Sequence, residues 1–84
     1  MVHMQEPMKY TSKDFYLSAC IRASGANLIR LEPLDYKTYL FHFDIPTSQA
    51  NYLIEQHWNG KLVLPTKAVI DAINELKTRL HQGV

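Results

Sequence analysis

The sequence contains little cysteine, little glycine and no long apolar run. Cys20 is the only cysteine, so an intrachain disulfide and a cysteine-rich zinc site are excluded, and the unpaired thiol favours a reducing compartment. The apolar runs span only a few residues, far below the ~20 needed to cross a bilayer, and no signal-peptide pattern opens the chain. We therefore expect a cytoplasmic protein with no membrane partner.

The chain also has no large excess of positive or negative charge, since it contains nine Lys and Arg and eight Asp and Glu, which leaves a net charge of +1. No Lys or Arg lies between Lys37 and Lys61. Nucleic-acid partners favour a basic excess, so this balance does not indicate one. The three glycines form neither a P-loop nor a dinucleotide fingerprint, which excludes nucleotide binding by those motifs.

The length allows one small domain, because typical domains run to roughly 100–150 residues. We assign residues 10–84 to a single domain and expect residues 1–9 to be a flexible segment. A second methionine, Met4, allows the natural start to lie there, with residues 1–3 as a cloning remnant.

Hydrophobic periodicity predicts the order helix, strand, strand, helix, strand, helix. The first helix is predicted to begin at Thr11, where Asp14 forms an approximate capping box, and to end at Gly25 in the left-handed conformation. The strands are predicted over 28–31, 38–45 and 61–64, and the later helices over 47–59 and 66–82. The sequence thus predicts an α+β domain: a three-stranded sheet with helices packed mainly on one face.

The two strands of the predicted hairpin alternate with a period of two. Their aromatic face comprises Ile29, Leu31, Tyr39, Phe41, Phe43 and Ile45. The wetter face comprises Arg30, Glu32, Leu40, His42 and Asp44. An aromatic face of this kind is either core under helices or a platform that stacks single-stranded bases. Because a platform needs flanking basic residues, we favour core.

Four landmarks stand out along the chain. They are TSKDFYL at residues 11–17, FHF at 41–43, WNG at 58–60, and Val63 followed by Ala68, Ala72, Leu76 and Lys77. In these landmarks the sequence resembles a family of short bacterial and phage domains of unknown function, over residues 11–80. The resemblance implies a cytoplasmic bacterial or phage setting. It implies no activity and no functional residues.

Residues of catalytic types are present, but not in the patterns that catalysis requires. His42 and Asp44 lie two apart on one strand face, yet a triad also needs a nucleophile, and Cys20 lies in an apolar helix where burial makes a thiol inert. The histidines lack metal-ligand spacing, and His57 is interpreted as a hydrogen-bonded residue at the core edge. We predict no enzyme, no catalytic or metal-binding residue and no cofactor.

Aromatic and apolar residues at positions expected to be exposed point to an interaction surface, because Tyr and Trp concentrate at interface hot spots. The candidates are Tyr10, Leu34, Tyr36, Tyr52 and Trp58. Each alone is also explained as closing the edge of a small core. Together with the apolar first helix, they predict a non-enzymatic protein-interaction or regulatory module that binds a protein partner or forms a homo-oligomer.

Two alternatives stay open. One is a weak nucleic-acid-binding adaptor, with phosphate contacts from Lys9, Lys13, Arg22 and Arg30. The mixed charges of the last helix do not favour a DNA-reading helix there. The other is a small-molecule sensor with an apolar pocket lined by Phe41, Phe43 and Trp58.

Overall fold

The computed structural model describes residues 9–82, which form a three-stranded antiparallel sheet and three helices. The elements in chain order are β1 (Tyr10–Ser12), α1 (Phe15–Ala23), β2 (Asn27–Pro33), β3 (Tyr39–Asp44), α2 (Thr47–Trp58) and α3 (Thr66–His81). The predicted α+β class is confirmed. The predicted flexible segment 1–9, apart from Lys9, and the predicted start at Met4 lie outside the described residues. Between residues 9 and 82 no helix is long and apolar enough to cross a membrane.

The first helix begins at Phe15 rather than at Thr11, so its predicted start was wrong. Asp14 is the N-cap, and its carboxylate accepts a hydrogen bond from the backbone N–H of Leu17 at 2.9 Å. The Ser12 hydroxyl accepts a bond from the N–H of Asp14 at 3.1 Å and holds the turn before the helix. The cap thus comes where the apolar helical pattern starts, and the residues before it are free to extend as β1.

β3 is the central strand of the sheet, with β1 on one side and β2 on the other, both antiparallel to it. Phe41 pairs with Leu31, and Phe43 pairs with Leu28. Directly opposite residues in an antiparallel pair point to the same face, so these four side chains share one side of the sheet. The helices cover this side, which we call the covered face.

β2 contains a bulge that the sequence pattern did not indicate. Leu28 pairs with Phe43 and Arg30 pairs with His42, so Ile29 is an extra residue without a partner on β3. The prediction that Ile29 belongs to the aromatic face is therefore wrong. Ile29 is 49% exposed, and Leu28 takes the place opposite Phe43.

The segment 61–64, predicted as the third strand, is not a strand, and β1 completes the sheet instead. The predicted element order was wrong at these two places. The backbone N–H groups of Lys61 and Leu62 both donate to the carbonyl of Gln56, at 2.9 and 3.1 Å. The segment therefore turns back over the end of α2, and its donors are satisfied locally rather than in a sheet.

The core lies between the covered face and the helices. Phe41 and Phe43 are 3% and 0% exposed, and the ring of Phe15 on α1 packs edge-on against Phe41 at 6.3 Å. α3 packs chiefly on α1 and buries Ala72 and Leu76, whereas α2 contacts α1 less extensively. This burial confirms that the aromatic face is core and excludes the base-stacking platform.

Candidate interaction surfaces

The two helices α1 and α2, which contact each other through Cys20 and His57, each carry an exposed aromatic ring. Tyr16 on α1 and Trp58 at the end of α2 are 63% and 67% exposed. Tyr16 and Cys20 are four residues apart, so they share one side of α1. The Sγ atom of Cys20 lies 4.0 Å from Nδ1 of His57 on α2, and the His57 ring packs edge-on against Trp58 with centroids 4.9 Å apart. We call these four residues the α1–α2 surface.

The other sides of α1 are occupied, which explains why this one is open. Its buried residues are Leu17, Ser18, Ala19 and Ile21. Arg22 forms an ion pair with Glu75 of α3 at 3.1 Å. A helix that is apolar around most of its circumference must be covered on several sides, and here the sheet, α3 and α2 leave Tyr16 uncovered.

The surroundings of Cys20 disfavour its thiolate form. Burial, together with the negative charge of Asp14, raises the pKa of the Cys20 thiol above its ordinary value. A raised pKa keeps the sulfur in the neutral, weakly nucleophilic form at neutral pH. The 4.0 Å separation is a contact that helps to join the two helices. Among residues 9–82 no group of three His, Cys, Asp or Glu side chains is arranged to hold a metal ion.

The structure distributes the five predicted interaction residues over separate places. Trp58 belongs to the α1–α2 surface, and Tyr52, 60% exposed, lies on α2 about 120° around the helix from it. Leu34 and Tyr36, 44% and 88% exposed, lie in the loop between β2 and β3. Tyr10 is half-buried on β1 and packs against the core, and burial raises the pKa of its phenol. The five residues therefore do not form one surface.

The loop that carries Tyr36 is held by Asp35. The Asp35 carboxylate accepts hydrogen bonds from the backbone N–H groups of Lys37 and Thr38, at 2.7 and 2.8 Å. These bonds lower the pKa of Asp35. The ammonium of Lys37 lies 5.2 Å from the centroid of the Tyr36 ring. Tyr36 thus lies in a turn that Asp35 stabilises, and this turn belongs to neither of the helices that form the α1–α2 surface.

The structure does not gather the four predicted phosphate contacts, Lys9, Lys13, Arg22 and Arg30. Arg22 forms an ion pair with Glu75 on the side of the sheet that the helices cover. Arg30 is on β2, with its Nη2 atom 3.6 Å from Oε1 of Glu32. The two lysines flank β1, at the other edge of the sheet from β2. Both arginines are thus beside carboxylates, and the set is spread over three elements.

The face of the sheet away from the helices carries a charged cluster. Glu32 Oε1 lies 2.8 Å from Nε2 of His42 and 3.6 Å from Nη2 of Arg30. The side chain of His42 is only 12% exposed, whereas those of Arg30 and Glu32 are 58% and 40% exposed. The partner of His42 is thus Glu32 on the neighbouring strand rather than Asp44. Two members of this cluster, Arg30 and Glu32, lie on an edge strand.

The small-molecule pocket of the second alternative is not formed by its three predicted residues. Phe41 and Phe43 are buried in the core, but Trp58 is 67% exposed. A closed cavity cannot be lined by a ring that faces solvent in this way. The aromatic residues of the core and of the α1–α2 surface therefore belong to different parts of the molecule.

Sequence reasoning missed Tyr16 as an exposed residue and missed the contact between Cys20 and His57. The shared side of Tyr16 and Cys20 is readable from their spacing on a helix. The contact with His57 depends on how α2 docks on α1, and no local pattern reports that. The exposure of Val63 and Ile70, at 88% and 51%, was also not predicted.

In comparisons with protein-family models, curated proteins and solved structures, the chain has no significant match. The resemblance to short bacterial and phage domains therefore stays a prediction, and the functional argument rests on the geometry.

Proposed function

We propose that this domain is a non-enzymatic protein-interaction module whose α1–α2 surface binds a protein partner. The observation that carries the proposal is the exposure of Tyr16 and Trp58, at 63% and 67%, on the two helices that meet at the Cys20–His57 contact. Aromatic rings of this kind supply large contact areas at little cost in conformational entropy, and they dominate binding energy at interface hot spots.

The chemistry of the same surface supports the non-enzymatic part of the proposal. The thiol is the one strong nucleophile near a base here, and its raised pKa disfavours the thiolate that attack requires. The exposed rings beside it add contact area rather than proton transfer. This surface is therefore suited to binding and not to turnover.

The cellular setting is part of the proposal. A single unpaired cysteine supports a reducing compartment, and hence the cytoplasm. The resemblance carried by residues 11–80 supports a bacterial or phage origin. No cofactor is required by the proposed role.

The experiment uses Trp58, the only tryptophan, as its own reporter. Peptides are selected from a random display library on the immobilised domain and are then titrated in solution while Trp58 emission is recorded. We expect a blue shift on binding, because a partner removes water from the indole ring. We expect Kd values in the range of about 1–100 µM, as for small contact areas.

The matched variants are Tyr16→Ser and Tyr36→Ser, which remove exposed tyrosine rings at two different places. Tyr16→Ser should lower the affinity of the selected peptides for the domain about ten-fold or more, as expected when a hot-spot ring is removed. Tyr36→Ser should leave their affinity unchanged. Selected peptides that respond equally to both variants, or to neither, would contradict the proposal, and so would a library that yields no binder.

Nucleic-acid binding is tested in parallel by fluorescence anisotropy of labelled duplex and single-stranded DNA. Phosphate contacts would give binding that weakens at least ten-fold between about 50 and about 200 mM salt. We expect no binding at the lower salt concentration, because Arg22 and Arg30 already contact carboxylates.

A further inference from the structure

The outer edge of β2 is the longest unpaired strand edge in the described part of the chain. β2 runs over Asn27–Pro33 and pairs only with β3 among the described strands, so its other side has no neighbour. Most of its residues are exposed. An open edge of this length presents backbone N–H and C=O groups that can pair with another strand.

Two opposite charges lie on this edge strand, on the face of the sheet away from the helices. Arg30 pairs with His42 and Glu32 pairs with Leu40, so both side chains point to the uncovered face. Their side chains are 58% and 40% exposed. Between them, Leu31 points to the covered face and is 5% exposed.

We propose that a second copy of this chain pairs with the first along β2, antiparallel, about a two-fold axis at Leu31. The inference goes beyond the proposed function: it names a second surface, the outer edge of β2, and the partner that binds there. In this register Arg30 of each chain lies directly opposite Glu32 of the other, and Leu31 lies opposite its own copy. The edge is therefore complementary to itself in charge.

The neighbouring two-fold registers lack this complementarity. An axis at Arg30 would place the two Arg30 guanidinium groups opposite each other. An axis at Glu32 would do the same for the two carboxylates. Like charges directly opposite each other in an antiparallel pair are destabilising, whereas opposite charges contribute favourably. The sequence around Leu31 thus selects one register.

The symmetric pair also arranges the charges with alternating sign. Within one chain Arg30 and Glu32 are already 3.6 Å apart, and each would gain an opposite charge across the axis. The paired segments extend from Ile29 to Pro33, so that Ile29, 49% exposed, lies opposite Pro33 of the other copy. The bulge at Ile29 and the missing N–H of Pro33 end the ladder at its two ends. We expect a weak dimer, because five residues on each side bury little area.

The test is a charge-reversal series followed by sedimentation velocity over a range of concentrations. Arg30→Glu places two carboxylates opposite each other in both pairs, and Glu32→Arg places two guanidinium groups together. Each variant alone should weaken the dimer at least ten-fold. An equimolar mixture of the two should form a heterodimer at least as stable as the wild-type dimer, because each pair is then one Glu and one Arg. The double variant R30E/E32R should recover self-association.

Controls separate this register from general charge attraction and from misfolding. Lys77→Glu and Glu55→Arg change the charge by the same amounts at exposed positions on α3 and α2, and their mixture should behave as the wild type does. Circular dichroism and urea titration establish that each variant folds, which matters because Glu32→Arg removes the contact with His42.

Three results would overturn the inference: a wild-type chain that stays monomeric, single variants that dimerise like the wild type, or a mixture no more associated than its components. None of them bears on the α1–α2 surface. Conversely, peptides that fail to bind that surface would contradict the proposed function but not the dimer. Tyr16→Ser should not change the sedimentation of the dimer, so the two tests are independent.

Discussion

The two flanks of α1 are built differently. Towards α3, the helix is closed by the Arg22–Glu75 ion pair and by buried side chains that include Ala72 and Leu76, at 2% and 0% exposure. Towards α2, the helices meet through Cys20 and His57 at 4.0 Å, and the nearby rings remain largely exposed. The α3 flank thus buries apolar surface within the chain, whereas the α2 flank leaves aromatic surface exposed to solvent.

This difference shows how a short chain can use one apolar helix twice. Burial of apolar area on the α3 side stabilises the fold, since each fully buried leucine contributes about 1.5–3 kcal/mol. Apolar area left exposed on the α2 side does not stabilise the folded monomer, but a partner could bury it. Stability and binding should therefore respond to substitutions on different flanks.

The largest expected effect is on the α3 flank. Leu76→Ala should lower the free energy of unfolding by about 2–5 kcal/mol, because it removes a fully buried side chain and leaves a cavity. Urea titration followed by circular dichroism measures the change. If the variant loses less than about 1 kcal/mol, as a surface position does, α3 is not packed as described.

A smaller effect is expected from the ion pair on the same flank. Arg22→Ala should cost about 0.5–1 kcal/mol, because both partners are about one-third exposed and the pair is partly screened by water. A double-mutant cycle with Glu75→Ala isolates the interaction from the loss of side-chain packing. A coupling energy close to zero would show that packing alone closes the flank.

On the α2 flank, the pH dependence of Cys20 is the next effect. Its pKa is raised in the folded chain above the ordinary value of 9.0, so the stabilisation is fully present below that value and is lost as pH rises through the folded value. The free energy of unfolding should therefore fall less in Cys20→Ala than in the wild type between pH ~8 and pH ~10. Alkylation by iodoacetamide at pH ~8 should also be slower than in the urea-unfolded chain, and equal rates would contradict the burial of the thiol.

The smallest effect on stability is expected at Tyr16. Tyr16→Ser should change the free energy of unfolding by no more than about 0.5 kcal/mol, as for most exposed positions. A loss as large as that for Leu76→Ala would place Tyr16 in the core and would remove the distinction between the two flanks. The measurement is the same urea titration, so the two variants can be compared directly.

The parts of the fold that the sequence predicted correctly are those with strong local patterns. The alternation along β3 placed Phe41 and Phe43 in the core, and Gly25 ends α1 with a positive φ of 110°. The errors occurred where local pattern and tertiary context disagree. The segment 61–64 has a strand-like composition, but its backbone hydrogen-bonds to the end of α2. The bulge at Ile29 inserts one extra residue into β2, so that Leu28, and not Ile29, lies opposite Phe43.

The candidate surfaces were less predictable because they depend on how elements dock. Trp58 was singled out from its residue type, but identifying Tyr16 as exposed required knowing which side of α1 faces α2. Arg30 was considered as a phosphate contact, although the alternation already placed it on the same strand face as Glu32. The pairing of β2 with β3 was needed to show that His42 joins them. Tyr10 was expected at a surface, and pairing of β1 with β3 packs it against the core.

A map of amide chemical-shift changes on adding a library-selected peptide to the labelled domain would show directly which flank of α1 binds a partner. We predict that the largest changes follow the α1–α2 surface, at Tyr16, Cys20, His57 and Trp58, while Ala72 and Glu75 on the α3 flank shift little. Largest changes on the α3 flank, or changes spread evenly over both flanks, would contradict this prediction.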